Sequence, residues 1–350
     1  MRSDNNRQNH VQIPLMKELS KSPFKKSVAL CTYNGAEFLD EQLDSILTQT
    51  VLPDELVIGD DVSTDRTVSV IERFARQAPF PVHLEINKKN LGSTRNFEKT
   101  IGRCNGDLIF LSDQDDVWMT EKIATIECVF AGSDSVGLVF SDAELAGKRM
   151  EKLNGRLWDH TFKQNIRAQA ESREFYKTLL KGNVVTGATT AFRSRFTDNF
   201  LPIPRQIPNL IHDFWIALAI SVSAEIRFIE SPLVRYRQHS NQQIGLNGTD
   251  EGRERFSKAL EIHARQLRTI GIIKNNIKDF PPLGLAKKVE LALPDAERHI
   301  KEQMIHLENR LKLTGNKLGR IPTIFTELTS GRYHRFSKGI LSAAKDFFAS

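Results

Sequence analysis

Short apolar runs alternate with helical periodicity from Ser27 onward. The apolar runs have the length of buried strands, and we predict strands at Ser27–Cys31, Glu55–Asp60, Val82–Asn87, Leu108–Ser112 and Val136–Ser141. Between them, apolar residues recur at helical spacing, first at Leu39, Leu43, Ile46 and Leu47, and then at Val68, Ile71, Phe74 and Ala75. This alternation is typical of βαβ units. We therefore predict an α/β fold with a Rossmann-like, mostly parallel sheet flanked by helices.

The C-terminal hundred residues have a different pattern, because they are charged and helical. We predict a flexible N-terminal arm at 1–24, a main domain at 25–245 and a helical C-terminal region at 250–350. An apolar near-heptad at Ile300, Met304, Leu307 and Leu311 is too short to predict a coiled coil. Five residues would share one face of a final helix that is ringed by Arg and Lys: Phe336, Ile340, Ala344, Phe347 and Phe348. That face would either pack on the main domain or contact the inner leaflet of a membrane.

Composition and charge narrow the class of protein. The chain has 350 residues, 40% of them hydrophobic, which is ordinary for a globular protein. We expect no signal peptide and no transmembrane helix. The odd number of cysteines, Cys31, Cys104 and Cys128, favours a reducing, cytoplasmic compartment over a disulfide framework. The net charge of +6 suggests an anionic partner, but the basic residues form no recognisable nucleic-acid module, so we expect no nucleic acid.

Polar residues follow three of the predicted strands, at the points where such sheets bind ligands. They are Thr32-Tyr33-Asn34-Gly35, Asp60 through Asp65, and Asp113-Gln114-Asp115-Asp116. Mg²⁺ and Mn²⁺ prefer oxygen ligands and are typically held by one or two carboxylates plus substrate phosphates. Neither glycine-rich phosphate motif, G-x-G-x-x-G after the first strand or G-x-x-x-x-G-K-[ST], is present. The sequence therefore predicts a metal that grips a phosphate-bearing ligand, and the alternative is a solvated acidic turn before a helix near Thr120.

Each of the other polar positions also has a structural alternative. Asp65 is expected to cap the second helix. Asp60 and Asp61 are either turn residues or acceptors for ligand N–H groups such as a pyrimidine imide. Tyr33 either packs at the strand end or stacks on a base.

The ordered series of motifs resembles a known family. Cys31-Thr32-Tyr33-Asn34-Gly35 with Glu37, then Asp60 to Asp65, then Ser112-Asp113-Gln114-Asp115-Asp116-Val117-Trp118, is similar to the family 2 inverting glycosyltransferases of the GT-A fold. Within that family it looks most like bacterial rhamnosyltransferases of cell-surface polysaccharide assembly, such as O-antigen and capsule. The resemblance covers about residues 25–245.

The resemblance implies roles for the first three segments. Thr32, Tyr33, Asn34 and Glu37 would form the nucleotide-binding loop, and Asp60 or Asp61 would read the base. Asp113 and Asp115 would be the D-x-D pair between nucleotide and metal, with Asp115 as the direct metal ligand, while the role of Asp116 stays open. The family usually has Gly where this chain has Val62. A β-branched residue resists positive φ, so either base binding is altered or the turn is rebuilt.

Three later segments complete the resemblance. The Gly182–Ala188 segment, with Gly187, would border donor and acceptor, or else lead into an ordinary strand. His212 and Asp213 open a helix, where Asp213 would be the catalytic base or simply a carboxylate at a helix N-terminus. Trp215 would wall the acceptor pocket or be buried. Arg237 and His239 would complete the diphosphate and metal site, or form a solvated basic strand end.

The resemblance thus predicts a metal-dependent, inverting glycosyltransferase. Its donor would be a UDP- or dTDP-linked sugar, with rhamnose suggested by the resemblance, and its acceptor a saccharide or lipid-linked oligosaccharide. Absence of the Q-x-x-R-W signature favours addition of one sugar per encounter. The alternatives are a nucleotidyltransferase and a non-catalytic nucleotide-binding or scaffold protein that keeps the fold.

Overall fold

The structure is a computed structural model that describes residues 23–239, 253–276, 283–313 and 317–348. The strands are β1 (Lys26–Thr32), β2 (Glu55–Asp60), β3 (Val82–Ile86), β4 (Leu108–Asp113), β5 (Val117–Trp118), β6 (Val136–Ala146), β7 (Lys152–Arg156), β8 (Thr190–Arg193) and β9 (Glu225–Arg237). The helices are α1 (Leu39–Leu47), α2 (Thr67–Ala75), α3 (Ser93–Ile101), α4 (Lys122–Gly132), α5 (Gln164–Arg167), α6 (Phe175–Lys181), α7 (His212–Ser223), α8 (Arg253–Asn276), α9 (Leu283–Leu311), α10 (Lys317–Thr329), α11 (Arg332–Phe336) and α12 (Ile340–Phe348).

The strands form one sheet in the order β3-β2-β1-β4-β8-β6-β9-β5, with β7 paired to β6. The four strands from β3 to β4 are parallel, and β8 pairs antiparallel with both β4 and β6. Because β1, β2 and β4 run in the same direction in register, Thr32 lies beside Asp60, and Cys31 lies beside Asp113. Their polar carboxyl ends therefore meet at one edge of the sheet, as predicted.

The predicted strands all exist. The span Glu55–Asp60 matches β2, while β6 runs on to Ala146, five residues past the predicted end. The core strands are apolar throughout because both faces are covered: Val28, Leu30, Leu56, Ile58, Phe110 and Leu111 are all fully buried.

The helical stripes are correct for α1 and partly wrong for α2. Leu39, Leu43 and Ile46 are buried in α1. In α2 the buried face contains Val70 together with Ile71 and Phe74, whereas Ala75 is exposed. Val70 and Ala75 each fit an apolar pattern at helical spacing, so which of them faces the sheet depends on packing rather than on the pattern.

The described chain divides into two compact units. The first contains all of the sheet and residues 183–239, and the second contains α8, most of α9, and α10 to α12. In the second unit Ile324, Tyr333 and Ala343 form a small core against which Phe347 packs. No helix among the described residues is both long enough and apolar enough to span a membrane.

The prediction of one continuous final helix is wrong. The structure has two helices there, α11 and α12, separated by Ser337–Gly339. Gly339 has a φ of 58°, in the left-handed region that ends helices. The five-residue face is therefore divided: Phe347 contacts the core, while Ile340 and Phe348 are exposed. The predicted arm at 1–24 lies almost wholly outside the described residues, and the predicted domain limits remain predictions.

Candidate functional site

The loops after β1 and β2 are tied together by side-chain hydrogen bonds. The Asn34 backbone N–H donates to Ser63 Oγ at 2.9 Å, and the Asn34 side-chain oxygen accepts from the Thr64 N–H at 2.8 Å. Asn34 has a φ of 49°, a left-handed conformation that Asn tolerates. Tyr33 is 50% exposed beside this pair of loops. An exposed aromatic ring beside two polar loops has the form of a base-stacking platform.

The expected N-cap role of Asp65 is wrong, because Arg66 occupies that position, but the Asp65 side chain still binds the start of α2. Its carboxylate accepts the Thr67 N–H at 2.9 Å and the Ala36 N–H at 3.1 Å. These contacts keep the Asp65 pKa below its usual range although burial opposes them. Asp65 therefore holds the β1 loop onto the start of α2.

The two carboxylates after β2, Asp60 and Asp61, are called the carboxylate pair. Asp60 accepts hydrogen bonds from Thr32 Oγ1 at 2.8 Å and from the Ser63 N–H at 2.8 Å. Asp61 accepts hydrogen bonds from three donors: Asn87 Nδ2 at 2.9 Å, the Leu91 N–H at 2.8 Å and the Gly92 N–H at 2.8 Å. A carboxylate offers about four acceptor positions. Asp61 is thus fixed in place by protein donors with room for one more N–H.

Between these loops, Val62 has a φ of 66°. Val62 itself adopts the left-handed conformation, so the expectation of a rebuilt turn is wrong, and altered base binding stays a prediction. That conformation costs an L-residue about 1–2 kcal/mol. Strain of this size is typical of functional loops that their surroundings hold in place.

Three carboxylates at the end of β4, Asp113, Asp115 and Asp116, together with Asp213 at the start of α7, are called the carboxylate cluster. Burial, followed by the negative charges of Asp115 and Asp213, raises the pKa of Asp113 to about 7. Burial and the charges of Asp115 and Asp113 raise the pKa of Asp116 well above its usual range. Asp116 Oδ2 is buried without a hydrogen-bond partner among the described residues. Asp113 and Asp116 are therefore harder to ionise than ordinary aspartates.

His239 and Arg237 both contact this cluster, but in different ways. His239 Nε2 lies 2.8 Å from Asp115 Oδ2, so the imidazole and the carboxylate are adjacent, as a shared metal site requires. Arg237 is 1% exposed, and each of its guanidinium nitrogens donates to a protein oxygen: the Asp115 carbonyl, the Lys148 carbonyl and Glu41 Oε2. Its backbone N–H donates to Asp116 Oδ1 at 3.0 Å. The alternative that Arg237 lies at a solvated strand end is therefore wrong. The hydrogen bonds of Arg237 instead stabilise the conformation of the acidic turn.

Lys122 is a functional candidate that the sequence did not reveal. It is fully buried, its ammonium donates to the Ala188 carbonyl at 2.6 Å, and it lies 3.6 Å from the centre of the Trp118 ring. Burial lowers the Lys122 pKa, and the charges of Asp116 and Asp113 act in the opposite direction. Lys122 therefore places one positive charge against the carboxylate cluster. A lysine in the first turn of a helix looks solvated in the sequence, which is why the pattern missed it.

Asp213, at the start of α7, is held by donors from the Gly182–Ala188 segment. Its Oδ2 accepts the Gly187 N–H at 3.1 Å, and its Oδ1 accepts Asn183 Nδ2 at 3.1 Å. Burial raises its pKa to about 6, although these hydrogen bonds oppose the shift. The structure thus brings the Gly182–Ala188 segment against Asp213, as the order of motifs implied.

His212 and Trp215 flank Asp213. His212 stacks on Phe97 with ring centres 3.9 Å apart, and neither ring nitrogen has a partner among the described residues. Burial lowers the His212 pKa to about 3, so the ring is neutral. A Cβ at Gly187 would lie 2.9 Å from His212 Nε2, so this approach requires glycine. Trp215 is buried and its indole N–H donates to the Phe200 carbonyl, which fits the packing alternative.

Of the remaining predicted residues, some are exposed at the edge of the site and others bind its carboxylates. Thr32 is buried and its hydroxyl serves Asp60, whereas Glu37 is exposed and pairs with Lys148 at 2.7 Å. Gln114 links the acidic turn to the β1 loop, because Tyr33 N–H donates to its Oε1 at 2.8 Å. The sequence analysis missed Glu41, Lys148 and Gln114, whose partners are distant along the chain.

The donor set fits a divalent cation held jointly with phosphates. Among the residues that the structure describes, no group of three or more His, Cys, Asp and Glu side chains is placed so that it could hold a metal ion. Asp113 and Asp115 are half-buried and repel each other, and Asp116 Oδ2 has no hydrogen-bond partner within the described ranges. Mg²⁺ and Mn²⁺ commonly take one or two carboxylates and complete their coordination with substrate oxygens and water.

Comparison with known proteins places this geometry in context. Residues 27–130 match the family described as Glycosyl transferase family 2. The chain is 29% identical over 231 residues to the dTDP-rhamnosyl transferase RfbG of Shigella flexneri, covering 62% of this chain and 74% of that protein. It is 34% identical over 103 residues to the abequosyltransferase RfbV of Salmonella typhimurium, covering 29% of this chain and 31% of that protein.

A solved structure supports the fold. The mannosyltransferase PcManGT from Pyrobaculum calidifontis, in complex with GDP-Man and Mn²⁺, superposes with a TM-score of 0.50 at 18% identity, covering 93% of this chain and 87% of that one. At this identity the likeness concerns the fold alone. The predicted GT-A fold is confirmed.

Proposed function

We propose that this chain, whose residues 27–130 match Glycosyl transferase family 2, transfers one sugar per encounter, with inversion, from a UDP- or dTDP-linked donor. Rhamnose is the proposed sugar, since RfbG is named a dTDP-rhamnosyl transferase. The acceptor is a saccharide or a lipid-linked oligosaccharide, and the reaction takes place in the cytoplasm. The observation that carries the proposal is that the carboxylate cluster, which includes Asp213, lies beside the polar loops after β1 and β2, which are suited to a nucleotide.

The nucleotide half of the proposal rests on the two polar loops. Tyr33 offers an exposed ring for stacking on the base, and Asp61 offers a fixed carboxylate to the imide N–H of a pyrimidine. Val62 holds the turn that presents Asp61. Asp60 supports the turn through Thr32 and Ser63.

The diphosphate half rests on the carboxylate cluster. Asp113, Asp115 and His239 are the residues that would hold Mg²⁺ or Mn²⁺, which would supply positive charge for the leaving phosphates. PcManGT was solved with Mn²⁺, which supports this choice. Arg237 and Lys122 keep the acidic turn in place through their buried contacts.

Asp213 is the proposed general base. In the transfer, the acceptor hydroxyl oxygen forms the bond to the anomeric carbon, its proton passes to an Asp213 carboxylate oxygen, and the bond from that carbon to the diphosphate oxygen breaks with its electron pair. The nucleoside diphosphate leaves from the opposite face. A pKa of about 6 suits a base that is mostly ionised at neutral pH yet able to accept a proton.

A thermal-shift screen tests the proposal. UDP, TDP, GDP and CDP are each added with and without Mn²⁺, since a ligand that binds only the native state raises the apparent melting temperature. We expect metal-dependent stabilisation by TDP or UDP, its loss in Asp115→Asn, and its retention in the matched surface variant Asp44→Asn. A lack of any shift with every nucleotide would contradict the transferase and favour a scaffold protein that keeps the fold.

A further inference from the structure

Two helices of the second unit expose an unusual number of large apolar side chains. Those of Leu318, Ile321, Phe325, Ile340, Leu341 and Phe348 are 45–75% exposed, and together they are called the α10–α12 surface. Leu318, Ile321 and Phe325 follow the spacing i, i+3, i+7, so they share one face of α10. Leu341 and Phe348, seven residues apart, share one face of α12. Single exposed apolar residues are common, but aligned rows of this kind mark interaction sites.

These rows are not the core-facing sides of their helices. The core face of α10 carries Ile324, and that of α12 carries Ala343 and Phe347, which pack together with Tyr333. The core of the second unit is therefore formed by residues other than those of the α10–α12 surface. The α10–α12 surface is additional to them.

The two helices are joined at one end. Arg320 on α10 donates to the Asp346 carbonyl on α12 at 3.3 Å, and the Lys317 ammonium lies 5.4 Å from the centre of the Phe348 ring. The first turn of α10 thus lies beside the last turn of α12. Leu318 and Phe348 accordingly belong to the same end of one surface.

The charge around this surface is positive. Residues 317–348 contain two carboxylates, Glu327 and Asp346. Both are largely buried in ion pairs, Glu327 with Arg332 and Asp346 with Arg310, each at 2.6 Å. The exposed charges include the lysines Lys317, Lys338 and Lys345. Within residues 317–348, both acids are therefore held in ion pairs, whereas these three lysines are exposed.

We propose that the α10–α12 surface docks the protein on an anionic lipid bilayer, with its apolar side chains at the acyl boundary and its lysines at the headgroups. Apolar side chains flanked by lysine are the arrangement of interfacial helices that lie on a membrane rather than cross it. A second copy of this chain is a poorer partner, because the same lysines would meet across the interface. The docking goes beyond the transfer reaction and does not depend on it.

Vesicle co-sedimentation of the full chain tests the docking. The vesicles are phosphatidylglycerol with phosphatidylcholine, or phosphatidylcholine alone. We expect binding to the anionic vesicles only, weakened by salt. Each lysine near an anionic surface contributes roughly five-fold to partitioning, so Lys317→Glu with Lys338→Glu and Lys345→Glu lowers it by at least about 100-fold.

A second variant isolates the apolar contribution. Leu318→Gln with Phe325→Gln and Leu341→Gln changes only exposed positions, so the protein folds, and we expect vesicle binding to be lost. The matched controls are Leu291→Gln, at another exposed leucine, and Lys301→Glu, at another exposed lysine; both bind like the wild type. TDP-induced thermal shifts stay unchanged in every variant, which separates this test from that of the transferase.

Two outcomes would overturn the docking. One is wild-type protein that fails to sediment with anionic vesicles, or glutamine variants that still bind them. The other is self-association in the absence of lipid, seen by sedimentation velocity and abolished by the glutamine variant, which would assign the surface to a second copy of the chain.

Discussion

The carboxylate pair and the carboxylate cluster look alike in the sequence and differ in their surroundings. Asp60-Asp61 and Asp113 to Asp116 each follow a buried strand in the parallel part of the sheet. Asp61 in the pair accepts three protein N–H donors, whereas in the cluster Asp116 Oδ2 has no partner in the part of the chain that the structure describes and the pKa of Asp113 rises to about 7. Adjacent carboxylates are thus stable either because donors surround them or because a cation joins them.

This difference assigns each group a ligand chemistry. A carboxylate fixed by N–H donors is suited to one more N–H, as in a pyrimidine imide. Carboxylates crowded against each other are suited to a divalent cation. Under the proposed function, the acidic residues of one sheet edge would divide between the two halves of a nucleoside diphosphate.

The largest expected effect comes from the base. Asp213→Asn removes the proton acceptor but keeps the shape, and we expect kcat to fall roughly 10²–10⁴-fold. Metal-dependent nucleotide binding should persist, since Asp213 does not hold the metal. The control is Asp198→Asn, an exposed aspartate outside the site. Full activity in Asp213→Asn would remove this residue from the mechanism.

Lys122→Met tests whether the cluster depends on its buried positive charge. Without the ammonium, the pKa of Asp113 rises further, and ionising the cluster for metal binding becomes harder. We expect the affinity for Mn²⁺ in the presence of TDP to fall roughly 10–100-fold, as for other residues that support metal ligands. Calorimetric titration measures it, with Lys89→Met as an exposed control. Unchanged affinity would mean that Lys122 only packs.

The pH profile tests the environment of Asp213. Because burial raises its pKa to about 6, the carboxylate is ionised above that pH and protonated below it. Only the ionised form accepts a proton, so kcat/KM should fall about tenfold per pH unit below pH 6. Steady-state kinetics measured in overlapping buffers would show this acidic limb. A profile that stays level down to pH 4.5 would be incompatible with this base.

Asp61→Asn tests the carboxylate pair. An amide NH₂ in this position faces N–H donors, so we expect a loss of about 1–3 kcal/mol in the free energy of unfolding. The same change should weaken nucleotide binding with or without metal. Urea unfolding and nucleotide titration measure the two effects. A normal stability together with lost Mn²⁺ binding would reverse the assignment of pair and cluster.

The smallest expected effect is at Val62. Val62→Gly relieves the left-handed strain and should raise the free energy of unfolding by about 1 kcal/mol, measured in urea. Val62→Ala keeps an L side chain and should yield a smaller gain. If both variants are destabilised equally, Val62 contributes packing that outweighs the strain.

Residues that lie next to each other along a strand were predictable, whereas residues that meet across the fold were not. The polar ends of β1, β2 and β4 follow apolar runs, so their meeting at one edge follows from the parallel sheet. Lys122 and Arg237 look like exposed basic residues in the sequence and are buried in the structure. Their partners, Ala188 and Glu41, lie 66 and 196 positions away, beyond any local pattern.

The exposed apolar residues of α10 and α12 also show that contacts across the fold could not be predicted from the sequence. The sequence predicted one amphipathic final helix, and the break at Gly339 turned part of its apolar face into the core of the second unit. Amphipathic periodicity identifies an apolar face. It does not identify what covers that face.

Electron paramagnetic resonance of Mn²⁺ with TDP would test most directly whether the metal binds the carboxylate cluster and the nucleotide base binds the carboxylate pair. Wild type, Asp115→Asn and Asp61→Asn are titrated with Mn²⁺ at fixed TDP, and protein-bound metal is separated from the metal–nucleotide complex by its spectrum. We expect the Asp115→Asn variant to lose the protein-bound Mn²⁺ signal. The Asp61→Asn variant should show a weaker signal that returns to the wild-type level when the TDP concentration is raised. A protein-bound signal in Asp115→Asn equal to that of the wild type would contradict the assignment of the metal to the carboxylate cluster.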